Sequence, residues 1–71
     1  MKKWIYVEDD QGNHAAKINL GEKKDAVKFL EAIFGKKYVR FHSEGDNWVL
    51  FRILHYSWRV IYEEIFSTQN R

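Results

Sequence analysis

The sequence predicts an α+β domain: a small antiparallel sheet in ββαββ order, one main helix packed on one sheet face, and a C-terminal helix. Three observations carry this. Apolar residues alternate with polar ones in four short stretches, they recur at helical spacing in another, and clusters of Gly, Asn and Asp join the alternating stretches in pairs. The 71 residues read as a single domain over 1–71, without repeats, low-complexity tracts or a linker.

Trp4-Ile5-Tyr6-Val7 is β-branched and aromatic, the composition of a strand. It stops at Asp9-Asp10-Gln11-Gly12-Asn13, where Asp and Asn bond their own backbone and Gly supplies positive φ. From His14 to Leu20 the chain alternates, with Ala16, Ile18 and Leu20 on one side and Ala15, Lys17 and Asn19 on the other. Residues 3–8 and 14–20 are therefore expected to form a hairpin. Residues 22–34 are expected to be helical, because Ala26, Phe29, Leu30 and Ile33 share one stripe that Val27 and Phe34 widen. Glu22 and Asp25 in the first turn and Lys36-Lys37 beyond the last complement the helix dipole. Gly35 stands where a left-handed C-terminal cap belongs. Residues 38–42 alternate again, Glu44-Gly45-Asp46-Asn47 turns the chain, and 48–54 completes a second hairpin. Between Trp48 and Phe66 no Gly, Pro, Asn or Asp marks a further turn. Leu54, Trp58, Ile61 and Ile65 at helical spacing favour a helix over 57–66, the alternative being a fifth strand through Trp58-Arg59-Val60-Ile61-Tyr62.

A chain this short buries only about 60% of the surface its unfolded form exposes. It has no cysteine, so neither disulfides nor thiolate zinc sites can staple it. Three Trp, four Tyr and five Phe point instead to a dense aromatic core or to association with another chain. Met1-Lys2-Lys3 opens like a signal peptide, but the apolar run ends at Glu8-Asp9-Asp10. The most apolar stretch, residues 48–54, carries Arg52 and is far too short to span a bilayer. The expected compartment is the cytoplasm, with no membrane partner. A net charge of +2 does not by itself mark a nucleic-acid binder, which shows a clustered basic stripe.

Alternation sorts the strands into two faces. Ile5, Val7, Ala16, Ile18, Leu20, Val39, Phe41, Val49, Phe51 and Ile53 form an aliphatic and Phe face suited to the helix stripe. The opposite set, Trp4, Tyr6, Lys17, Tyr38, Arg40, His42, Trp48, Leu50, Arg52 and Leu54, mixes large aromatics with cations. One helix cannot cover both sides, so this second face needs a cover of its own. The C-terminal segment could supply it through Trp58, Ile61 and Ile65. Another protein chain could supply it, since interface cores favour Tyr, Trp and Arg. So could single-stranded nucleic acid, with bases stacked on Tyr38 and Trp48 and phosphates at Arg40, Arg52 and Lys17.

No catalytic constellation emerges. The run from Asp9 to Asn13 lacks the alternating ligands and distal Glu of a calcium loop and is expected to be a solvated turn. His42 and Glu44 share a strand face but have no third ligand, and His14, His42 and His55 form no i,i+4 pair, so no metal site is expected. Ser43 adjoins His42, but successive strand side chains point to opposite faces, which separates them as nucleophile and base. Ser57 is expected to cap the last helix. Gly21-Glu22-Lys23-Lys24 lacks the second glycine and the Lys-Ser/Thr of a phosphate loop. Lys23, Lys24 and Lys28, interleaved with Asp25 and Glu31, read as a solvated helix face. The expectation is a small non-enzymatic binding or regulatory module without cofactor. It would act on another protein or a second copy of itself, as a homodimer, with single-stranded nucleic acid as the alternative partner. Trp4, Tyr6, Tyr38, Arg40, Trp48 and Arg52 are the residues expected to carry binding. The aromatics would supply buried area and the arginines bidentate hydrogen bonds.

Overall fold

The computed structural model describes residues 3–69, apart from the side chains of Leu20, Thr68 and Gln69. Four strands and two α-helices follow in the order β1 (Lys3–Asp9), β2 (His14–Gly21), α1 (Lys23–Phe34), β3 (Val39–Glu44), β4 (Trp48–Ile53) and α2 (Trp58–Gln69). A single turn of 3-10 helix, Lys36–Tyr38, separates α1 from β3. The α+β class, the helix on the sheet and the C-terminal helix are as the periodicity predicts. Helix wins over a fifth strand because Ile61 and Ile65, one turn apart, are both completely buried. Ser57 caps it: the hydroxyl accepts from the Val60 N–H at 3.3 Å and the carbonyl from the Ile61 N–H at 3.0 Å.

The strand order is β2-β1-β4-β3. Each hairpin is antiparallel, as expected, but the two hairpins meet through a parallel pair, Trp4 to Asp9 running beside Trp48 to Ile53. The sheet is therefore mixed. The cause is the single helical crossover: α1 returns the chain to the opposite end of the sheet, so β3 runs with β2 and β4 runs with β1.

Both helices lie on the aliphatic face. Ile5, Val7, Ala16, Ile18, Val49, Phe51 and Ile53 from the sheet share one core with Ala26, Leu30 and Phe34 of α1 and with Ile61 and Ile65 of α2. The C-terminal segment thus does not cover the aromatic–cationic face, because its buried stripe completes the core on the other side. Among the described side chains of the aliphatic set, which leave out Leu20, two depart from full burial: Val39 is half-buried and Phe41 is 48% exposed. Phe41 sits on the edge strand, where its ring is covered by the Lys23 ammonium at 3.9 Å from the centroid. Lys23 also pairs with Glu44, which Lys3 joins at 2.9 Å. Hydrogen bonds from Lys3 and then Lys23 hold the Glu44 carboxyl below its ordinary range. Ala15, expected on the open side, is buried because the register with β1 shifts between Val7 and Glu8.

Gly35 ends α1 with φ 96° and ψ 138°, a conformation that a side chain would strain. It is not the left-handed helical well, because the chain passes straight into the 3-10 turn. The turn from β4 to α2 uses no glycine either: His55 holds φ 68°, in the region where Asn, Asp and His are the commonest non-glycine residues.

Asp9, expected in a solvated turn, is buried. Oδ1 accepts from the Gln11 N–H at 2.9 Å and the Asn13 N–H at 2.8 Å, and Oδ2 from the Asn13 side-chain amide at 2.9 Å. The backbone N–H of Trp58, first residue of α2, lies close enough to favour its charged form further. Burial alone would raise its pKa, but these donors, the Asn13 side chain foremost, outweigh that and hold the carboxyl below 3.8.

Two predictions follow from this packing. Leu30 is completely buried, so Leu30→Ala is expected to cost about 2–5 kcal/mol. Exposed Lys24 on the same helix should cost no more than about 0.5 kcal/mol when changed to Ala. Denaturant melts ranking the two in reverse would show that the helix face is misassigned. For Asp9 the folded pKa is depressed, so its stabilisation is present above the unfolded value of 3.8 and is lost as pH falls through the folded one. Asp9→Asn should therefore be less stable than the parent at neutral pH, with the gap narrowing on acidification. Thermal melts across that range showing a constant gap would remove the carboxylate as its cause.

Candidate binding face

Strand parity decides which side chains point away from the helices. On that side β1 presents Trp4, Tyr6 and Glu8, β2 presents Lys17, β3 presents Arg40, and β4 presents Trp48, Leu50 and Arg52. Neither helix lies over them. Trp4 is 42% exposed, Lys17 and Arg40 are exposed, and the others are half-buried. Five of the six expected binding residues, Trp4, Tyr6, Arg40, Trp48 and Arg52, thus meet on one open surface.

The aromatics occupy the two central strands. Trp4 lies beside Trp48 in register and Tyr6 beside Leu50. Lys17, directly across from Tyr6, holds its ammonium 4.5 Å from the Trp4 ring centroid and 5.5 Å from that of Tyr6. That is a cation–π arrangement on the negative faces of both rings. The Trp48 indole folds against Gly45 so closely that a Cβ at Gly45 would overlap it.

The two arginines stand at the other end of the face. Arg40 and Arg52 are direct cross-strand partners. Arg52 Nε donates to Glu8 Oε1 at 2.6 Å, and Arg40 Nη1 to the Val39 carbonyl at 3.1 Å. Among the described strand side chains on this face, three are cationic (Lys17, Arg40, Arg52) and only Glu8 is acidic.

Tyr38 is not part of the face. Residues 36–38 coil into the 3-10 turn rather than extending the strand, so alternation begins only at Val39. Its ring stands edge-on to His55 at 5.6 Å and Tyr56 at 5.9 Å, and Tyr56 in turn meets Phe34 at 5.1 Å. It belongs to an aromatic cluster beside the turn into α2. β4 ends at Ile53, one residue before Leu54.

His42 and Ser43 are closer than alternation allows, with Nδ1 and Oγ 3.1 Å apart. A register shift between Phe41 and Ser43 breaks the alternation that would have separated them. The pair lies on the exposed edge strand, and no pocket occurs among the described residues to enclose it. Among the described residues no group of three His, Asp or Glu side chains is placed to hold a metal, and no helix is long and apolar enough to cross a membrane.

No family model, curated protein or solved structure matches this chain. The face is therefore weighed on its own chemistry. Flat rings at one end can stack on planar groups, and the guanidiniums at the other can take oxyanions. Three of its members, Glu8, Lys17 and Leu50, were not among the six expected residues. Lys17 was legible from parity alone. Glu8 shares parity with Tyr6, but its pairing with Arg52 depends on the parallel register, which no local pattern encodes.

The fit of Trp48 on Gly45 is testable. Gly45→Ala should displace the indole while the fold persists, giving a moved Trp48 Nε1–H signal in an NMR spectrum with an unchanged melting temperature. An unmoved signal would mean that the ring does not rest there.

Proposed function

We propose that this protein is a non-enzymatic module that binds single-stranded nucleic acid on its open sheet face. The observation that supports it is the grouping of Trp4, Tyr6 and Trp48 on the two central strands with Lys17, Arg40 and Arg52 around them. Every base has a π face, so aromatic platforms take bases of any sequence. Each stacking contact contributes roughly 1–3 kcal/mol. Two or three such contacts, with phosphates on the cations, make a modest, sequence-tolerant binder.

Charge weighs against a second copy as the partner: pairing face to face would set three cations against the same three, with Glu8 alone to offset them. Protein association anchored on Trp48 remains the second reading, because Trp, Tyr and Arg dominate binding hot spots.

A labelled single-stranded oligonucleotide titrated at two salt concentrations tests this, beside sedimentation of the protein alone. Affinity should fall steeply with salt, by about 0.7 log units per log unit of salt for each phosphate contacted. Trp4→Ala and Trp48→Ala should each weaken binding by about tenfold, as loss of one stacking contact implies. An absence of strand binding at low salt, together with a concentration-dependent dimer that Trp48→Ala abolishes, would replace this reading with protein association.

A further inference from the structure

Arg40 and Arg52 face each other directly across β3 and β4, and like charges so placed destabilise a sheet. Neither side chain belongs to the core, so the fold itself does not require the pair. Glu8 offsets one of the two charges. Its side chain is 15% exposed, and its carboxylate grips Arg52 from the neighbouring strand at 2.6 Å. Among the described residues, Arg40 bonds only the carbonyl of the residue before it. The sheet thus holds two guanidiniums on adjacent strands, with one carboxylate between β1 and β4 serving one of them. Cross-strand Cα partners lie about 4.5–5.5 Å apart, within which two guanidinium forks can converge on one tetrahedral oxyanion.

We infer that Arg40 and Arg52 together form a phosphate site, and that Glu8 is its built-in competitor, holding Arg52 until a phosphate takes its place. Binding then exchanges one anion for another at the same guanidinium. For a strand phosphate this rests on the nucleic-acid reading above; for the phosphate group itself it does not. The arginine pair stands at the expense of stability, as binding groups do when function rather than folding retains them.

The full-length chain and two variants test it. Glu8→Gln keeps the shape, releases Arg52 and removes the acid from the face. It should tighten oligonucleotide binding several-fold and steepen its salt dependence. Arg40→Gln should leave the melting temperature unchanged or raised, weaken binding by about tenfold, and make the salt slope shallower by about 0.7. Pyrophosphate alone should move the Arg52 Nε–H signal in NMR spectra, and at lower concentration in Glu8→Gln. Folded Glu8→Gln that binds no more tightly than the parent would overturn the competitor role. Arg40→Gln that loses stability yet keeps its affinity would overturn the phosphate site. The two proposals can fail separately. If strands do not bind but pyrophosphate still moves the arginine signals, the nucleic-acid reading falls and the phosphate site stands. If strands bind and both variants behave as the parent, the reverse holds.

Discussion

β4 lies beside β1 in parallel, matched from Trp4–Trp48 to Asp9–Ile53, and the covered and uncovered faces both depend on that pairing. Because the two strands run together, their C-terminal ends meet at one end of the sheet. The chain leaving Ile53 then needs only the short turn through His55 to deliver Trp58 to Asp9. The Asp9 carboxylate gathers the β1–β2 turn through Gln11 and Asn13, and the start of α2 comes close enough for the Trp58 N–H to favour its charge. An antiparallel β4 would release the chain at the other end of the sheet, out of reach of this anchor. From Asp9, α2 runs back over β1 and β2 and closes the core with Ile61 and Ile65.

Placing both helices on one face concentrates the burial that a chain of this size can achieve. It also leaves the other face without a cover from the described chain. Apolar area removed from water is worth about 25 cal/mol per Å², so Trp4 at 42% exposure forgoes stabilisation that the fold could have used. Folding does not account for three large aromatics there; a stacking role would. The arrangement is also guarded against indiscriminate association. Lys17 and the two arginines interrupt the apolar surface, and register shifts disturb both edge strands, β2 and β3.

Much of this was legible from residue spacing. The two hairpins, α1 and its buried stripe, the Ser57 cap and the separation of the strands into two faces all follow from periods of 2 and 3.6 and from turn chemistry. Part of what escaped has a common cause: departures from strict alternation. The shift at Ala15 buried a residue assigned to the open side, the shift before Ser43 brought His42 and Ser43 together, and the 3-10 turn carried Tyr38 off the face. The turn into α2 was silent because His55 does there what a glycine or asparagine would have advertised. Asp9 looked like one of several turn acids; its burial and its bonds from Gln11 and Asn13 distinguish it from exposed Asp10 beside it. The parallel β1–β4 pair is non-local, so it and the Glu8–Arg52 contact lay beyond any window on the sequence.

Those contacts bear on how strongly the open face could hold anything. Its groups are already partnered: the Lys17 ammonium sits over the Trp4 and Tyr6 rings, and Glu8 holds Arg52. A base arriving on Trp4 must displace a cation, and a phosphate arriving at Arg52 must displace a carboxylate. On the proposed reading, binding is then a set of exchanges, and the net gain is smaller than the sum of the new contacts. The displaced Lys17 is not wasted, because an ammonium leaving a ring can meet the phosphate of the nucleotide that replaced it. Local charge matters here more than the net +2 of the chain. Charges on the helix layer lie beyond the sheet, and solvent-exposed charges are screened over about 8–10 Å at physiological salt. A face with three cations and one engaged acid is therefore basic to a strand lying on it, whatever the acids elsewhere contribute.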